Sequence, residues 1–311
     1  MGSEKYVSNK RSMPSVDKLK GIKADREWRK MLVLNKQDKP LPGWPNVDTA
    51  ISLCPEWNGV FALDDFSRRA YLVKRPPYDD RTEKFERQLF IDVEEEIAWL
   101  SNVAGIVATE AQAKMAIARS AKRNKYNPLW DYFHSINGKW DGKERLDFFL
   151  SDYFGVADSE YVRAVSRKFL IGCVARALEP GCQMDNMLII EGEGGIGKST
   201  GIRALVPDPA WYTDNLGDIN AKDTLINIQG IWILELAELA GHSRRETEAQ
   251  KAFITRVSDR FRPVFGLAAV NHPRYTVFIG TTNRDHYLMD ETGNRRYWPV
   301  KATSVDVEEL S

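Results

Sequence analysis

The residues Gly192-Glu193-Gly194-Gly195-Ile196-Gly197-Lys198-Ser199 combine glycines with a terminal lysine and hydroxyl at the spacing that holds a chain of phosphates. Glycine is needed because the backbone must curl until its N–H groups converge on phosphate oxygens, with no space left for side chains. Lys198 then offers a point charge to the β and γ phosphates, and Ser199 a hydroxyl to Mg²⁺. At the usual glycine frequency of about 7%, a chance match in a chain of this length is on the order of one in a hundred. The expectation is an ATP site built by Glu193, Gly194, Gly195, Ile196, Gly197, Lys198, Ser199 and Thr200, with the positive end of a following helix behind it.

Hydrolysis at such a loop also needs carboxylates and a group that senses the attacking water. Trp232-Ile233-Leu234-Glu235 reads as an apolar strand closing on a carboxylate, with Glu238 shortly after. Glu235 is assigned to the Mg²⁺ side and Glu238 to water activation, an order that comparing Glu235→Gln with Glu238→Gln would settle. A helix N-terminal charge is the plainer role for Glu238. Val277-Phe278-Ile279-Gly280-Thr281-Thr282-Asn283 is a further strand, and an Asn at its end suits orienting the water, although it also suits a turn. In Gly293-Asn294-Arg295-Arg296 the arginine pair is assigned jointly to a finger reaching a neighbour's ATP; one of the two alternatively pairs with a core carboxylate. Finally, the segment 251–266 interleaves Lys251, Arg256, Arg260 and Arg262 with aromatics, the mixture that tracks and stacks on a single strand, while a solvated helix and loop with core rings fits it equally.

The elements that position these groups follow from periodicity. Short apolar strands at 187–190, 231–234 and 275–279 alternate with helical stretches, which argues a parallel α/β sheet covered on both faces. Upstream, helices are expected at 94–103, 109–123, 143–154 and 158–178, the last capped by Asp158 and burying Val162, Val165, Phe169, Cys173, Val174 and Ala177 before Pro180-Gly181 ends it. A short helix at 46–53 and two strands between Val60 and Val73, around a polar turn, complete the pattern. The expected organisation is a basic arm over 1–25, a small α+β domain over 26–92, a helical domain over 93–183 and a P-loop ATPase domain over 184–311.

Composition narrows the partners. The 44 basic and 44 acidic residues cancel, so a nucleic-acid surface must be a local stripe. Three cysteines without a CxxC pair fit reduced thiols. No apolar run has the roughly 20 residues of a membrane span, and the polar start lacks a signal-peptide core, so a cytoplasmic protein is expected.

These motifs together resemble the virulence-associated protein E family, P-loop ATPases of phages and mobile elements. The resemblance is carried by the phosphate loop, Glu235-Leu236-Ala237-Glu238-Leu239, Thr281-Thr282-Asn283 and Thr292-Gly293-Asn294-Arg295-Arg296-Tyr297-Trp298, with Trp140-Asp141-Gly142 upstream. More distantly the chain is similar to superfamily 3 helicases and the helicase halves of phage primase-helicases. The resemblance implies an AAA+-like ATPase and DNA helicase or translocase in the bacterial host cytoplasm, with ATP and Mg²⁺ at the interfaces of a ring. That ring is a homo-oligomer, expected to be a hexamer, threaded by single-stranded DNA near Lys251 to Arg262. The chain ends soon after Trp298-Pro299-Val300, which predicts a piece of a longer replication protein carrying a primase or polymerase domain elsewhere. A nucleotide-driven assembly switch and a small-molecule phosphotransferase are the rival readings.

Overall fold

The computed structural model describes residues 26–91, 93–219, 221–237, 244–262, 268–283 and 294–310, so the arm expected over 1–25 lies outside the described residues. The described residues divide into two compact units, one within Met1–Asp65 and Arg69–Tyr126, the other within Phe66–Arg68 and Asn127–Ser311.

In the first unit, strands β1 (Phe61–Asp64) and β2 (Arg69–Leu72) form the expected antiparallel pair, with Phe61 opposite Leu72. β3 (Gln88–Leu89) lies beyond β2, and β4 (Lys125–Tyr126) pairs parallel to β1, giving the order β3-β2-β1-β4 among the described residues. Helices Trp44–Leu53 and Glu110–Arg123 are the unit's long helices. The second begins where Thr109 and Gln112 cap each other reciprocally, each side chain bonding the other's backbone. Trp57 is fully buried, stacked on Phe61 and edge-on to Trp99 with ring centroids 5.3 Å away in both cases.

The second unit carries the parallel sheet. β5 (Met187–Glu191), β6 (Tyr212–Thr213), β7 (Ile233–Ala237), β10 (Val277–Thr282) and β11 (Tyr297–Lys301) lie in the order β11-β5-β10-β7-β6, every pair parallel. β8 (Ser258–Phe261) and β9 (Val270–Pro273) stand apart as an antiparallel pair. The continuous apolar run of β5 is explained by burial on both faces. Leu188 and Ile190 enter one core with Phe169, Cys173 and Ile279, while Met187 and Ile189 enter another with Leu234, Phe253 and Phe278. The chain leaves β5 toward one edge of the sheet and returns from β10 to the other. The crevice at the carboxyl ends of β5 and β10 is therefore where strand order reverses, the usual place for a ligand in an open α/β sheet.

Helix Glu160–Leu178 forms as expected and packs its buried face into the core of this sheet, but Ser159 caps it, its hydroxyl accepting from the Val162 N–H at 3.2 Å. Asp158 makes a two-pronged pair with Arg163 instead, since one step further from the helix its carboxylate is better matched by a guanidinium than by an amide. Val174, assigned to the buried face, is 39% exposed, because the buried stripe passes through Cys173 and Ala177. The helix expected over 143–154 is present only as Phe149–Phe154. Ahead of it Gly142 takes φ 82°, and Arg145 folds back onto Asp141 at 2.7 and 2.9 Å, closing a loop around Trp140 where no apolar face supports a helix. The helix Pro128–Ile136 went unread although its start is marked: the Asn127 side chain accepts from the Leu129 and Trp130 N–H groups, and Pro128 fills the first turn.

Candidate nucleotide-binding site

The loop between β5 and helix Lys198–Ala204 wraps a cavity of about 380 Å³ whose walls include Gly194, Lys198, Ser199, Thr200, Thr282 and Asn283. Two glycines explain why the loop has this course. A Cβ at Gly192 would lie 2.7 Å from the Ala302 carbonyl oxygen, and Gly197 starts the helix at φ 94°, a left-handed conformation costly for other residues. Glu193 contributes its carbonyl, and Ile196 packs against the core beneath the loop.

Lys198 is 7% exposed, and its ammonium donates to the carbonyls of Gly192 and Glu193 and to Asn283 Oδ1, each at 2.7 Å. Its three N–H bonds are all occupied, so the side chain is held across the cavity floor. Burial draws its pKa below the ordinary lysine value, and the charge of Glu235 works in the opposite sense. Asn283 reaches the lysine because β10 pairs directly with β5, which places the end of one strand beside the loop that leaves the other.

Glu235 has no exposed surface. Its Oε1 accepts from Ser199 Oγ at 2.7 Å and Thr281 Oγ1 at 2.6 Å, and its Oε2 accepts from the Tyr212 hydroxyl at 2.5 Å. A buried carboxylate oxygen without a hydrogen-bond partner is costly, and this hydroxyl set supplies a donor to each oxygen. Burial first, and then the bond to Glu235, raise the Tyr212 phenol well above its ordinary value, which fixes it as the donor. The hard oxygens of Ser199 and Glu235 fit Mg²⁺, which is held through few protein ligands and completes its shell with phosphate and water. The described residues contain no group of three or more His, Cys, Asp or Glu placed to hold a metal.

Of the expected site residues, the fold thus brings Lys198, Ser199, Thr200 and Asn283 to one crevice, with Glu235 buried behind it and bonded to the Ser199 hydroxyl. Glu238 lies outside the described residues. Arg295 and Arg296 occupy the turn Asn294–Arg296 ahead of β11, on the far side of β5 from β10, and are not among the side chains lining the cavity; Arg295 is exposed and its carbonyl accepts from Asn186 at 3.0 Å.

In the basic segment, Arg256, Arg260 and Arg262 are exposed, Arg256 lying over the Phe253 ring and Arg260 on β8. Lys251 corrects the expectation of a surface cation. It is 1% exposed and ion-paired to Glu248 at 3.2 Å, because it shares a helix face with buried Ile254 at i, i+3. Sequence reasoning missed Tyr212 and gave Thr281 no role. Thr281 lay within a noted motif, whereas Tyr212 sits 23 residues from Glu235 and reaches it only through the β6–β7 pairing.

The structure resembles, at low similarity, the apo A form of the NrS-1 C-terminal region (19% identity, TM-score 0.36, covering 52% of this chain and 38% of that one). A second NrS-1 structure of region 305–718 gives 18% identity with the same coverages and score. NtrX from Brucella abortus in complex with ADP gives 16% identity and a TM-score of 0.28 over 67% of this chain and 53% of its own. The chain therefore spans well under half of the NrS-1 region it matches. No curated protein sequence matches it. The model of the virulence-associated protein E-like domain, by contrast, matches residues 134–311, a stretch that takes in the whole parallel sheet and more than half of the sequence, and the protein belongs to that family.

Proposed function

We propose that this chain is an ATP-hydrolysing module that drives a DNA helicase or translocase in phage or mobile-element replication. The observation that carries the reading is the convergence of Lys198, Ser199 and Asn283 on one crevice at the ends of β5 and β10, with Glu235 of β7 buried behind it and bonded to the Ser199 hydroxyl. In that crevice the loop N–H groups bind phosphate oxygens, and Lys198 exchanges its carbonyl partners for the β and γ phosphates. Ser199, with Glu235 bonded behind it, would hold Mg²⁺, which would supply neutralisation of charge developing on the transferred phosphoryl group. Asn283, released from Lys198, orients the attacking water, with Glu238 as its activator. Arg295 and Arg296 lie away from their own cavity, which favours their serving a neighbour's site in a ring. Arg256, Arg260 and Arg262, on and beside the β8–β9 pair, are the proposed contacts to single-stranded DNA.

The test is ATPase rate against protein concentration, with and without single-stranded DNA, for the parent, Lys198→Ala and Arg295→Ala/Arg296→Ala. A shared site predicts turnover per chain that rises with concentration and DNA, loss in Lys198→Ala, and a fall of about 10³-fold or more in the double variant. Full turnover in Lys198→Ala would remove the nucleotide assignment. Hydrolysis indifferent to DNA would replace the helicase with an assembly switch.

A further inference from the structure

We propose that Tyr212 and Thr281 are positioning residues for the metal side of this site, clamping Glu235 so that the Ser199 hydroxyl is aimed at Mg²⁺. The proposal rests on the reading of the crevice as an Mg²⁺–ATP site. A carboxylate has about four lone-pair directions for hydrogen bonds. In Glu235 three are taken, two on Oε1 by Ser199 and Thr281 and one on Oε2 by Tyr212.

The three donors come from different elements: Ser199 from the phosphate loop's helix, Thr281 from β10 and Tyr212 from β6. β10 and β6 flank β7 on its two sides, so the carboxylate is gripped across three adjacent strands. Register places both clamps on its face. Glu235 is opposite Ile279, two residues before Thr281, and Tyr212 is opposite Ile233, two residues before Glu235. Losing the Tyr212 hydroxyl removes the donor to the buried Oε2, and losing that of Thr281 leaves Oε1 bonded to Ser199 alone.

The consequence falls on Ser199. Its hydroxyl proton points to Oε1, so its oxygen lone pairs face away from the carboxylate and toward the cavity it lines. A hydroxyl held as a donor in this way is a ready cation ligand, and removing a partner that orients such a ligand weakens metal binding by about 10- to 100-fold. Tyr212 is itself held by Arg203, whose guanidinium lies 5.0 Å over its ring.

The experiment measures Mn²⁺ binding by electron paramagnetic resonance in the presence of a non-hydrolysable ATP analogue, together with analogue binding in chelator and the melting temperature. The full 311-residue chain is compared with Tyr212→Phe, Thr281→Val and Thr281→Ser. Tyr212→Phe and Thr281→Val should weaken Mn²⁺ binding by about 10-fold or more, while metal-free analogue binding stays within about twofold. Thr281→Ser keeps the hydroxyl and should bind Mn²⁺ like the parent. If Tyr212→Phe does not fold, the Thr281→Val and Thr281→Ser pair decides alone. Mn²⁺ affinity unchanged in Thr281→Val, or lost equally in Thr281→Ser, overturns the positioning role while leaving the nucleotide site standing. A parent that binds no analogue at all overturns both.

Discussion

Glu235 is buried inside the sheet with hydroxyl donors on both of its carboxylate oxygens. Hydroxyls can turn to accept as well as donate, so Glu235→Gln should fold and keep nucleotide, while losing hydrolysis by about 10²-fold or more as the charge on the metal side disappears. Turnover beside binding of a fluorescent ATP analogue checks this, and loss of binding equal to the loss of turnover would mean that Glu235 serves affinity alone. A second carboxylate makes a prediction about acid. Asp79 accepts two hydrogen bonds from Arg81 at 2.7 Å and faces Arg75 at 3.0 Å. Its pKa is held below the ordinary 3.8, chiefly by the Arg81 bonds against the opposing effect of burial. A folded-state pKa lower than the unfolded one stabilises the fold fully above the unfolded value and ceases to do so as pH falls through the folded one. Asp79→Asn should therefore melt earlier than the parent near pH 6, with the gap closing below about pH 4. A gap constant with pH would show that the carboxylate's charge is not what stabilises that turn.

Among the elements, the β8–β9 pair is anchored more firmly than its short strands suggest. Arg274 follows β9, and its guanidinium forks onto Asp259 of β8 while also donating to the Phe253 carbonyl, with both side chains of the pair 1% exposed. It lies 4.6 Å from the Phe253 ring and 5.4 Å from the Phe278 ring, so one side chain ties β8, helix Arg244–Ile254 and β10 together. Removing one member of a buried pair strands the other, which gives an expected loss of about 3–5 kcal/mol in urea unfolding for Arg274→Ala. A loss under about 1 kcal/mol would mean that water or a neighbour takes over the role. The helix of the phosphate loop is fitted as closely: a Cβ at Gly201 would lie 2.6 Å from Val305 Cγ1 and 3.2 Å from the Phe154 ring. Such contacts join segments distant in sequence, and no local pattern announces them. The helix starts at Asn127 and Ser159, by contrast, are written locally as a polar cap before an apolar run.

At the scale of the whole molecule, the balance of 44 basic and 44 acidic residues means that attraction to nucleic acid must come from where charge is displayed. Many arginines are already matched to aspartates on the surface, as in Arg145–Asp141, Arg163–Asp158 and Arg167–Asp147. Arg256, Arg260 and Arg262 are the exposed cations of the basic segment. If they contact a single strand, replacing all three with Ala should reduce the slope of log affinity against log salt by about 2, at roughly 0.7 per phosphate contact. An unchanged slope would move the DNA surface elsewhere. Among the described residues no helix is long and apolar enough to cross a membrane.

The amino-acid sequence by itself determined the glycine-rich loop, the alternation that makes a parallel sheet and the strands that carry Glu235 and lead to Asn283, although β7 runs two residues past Glu235 and β10 stops at Thr282. Each of these is local, written in glycine spacing, in apolar runs and in the polar residues that interrupt or follow them. Only the tertiary structure decided that β10 lies between β5 and β7, which puts Asn283 on Lys198 and Thr281 on Glu235. It alone turned Lys251 inward and brought Tyr212 to the carboxylate. The physical reason is that strand order and register are set by which apolar faces can be buried together, a property of the assembled sheet that no window of sequence contains.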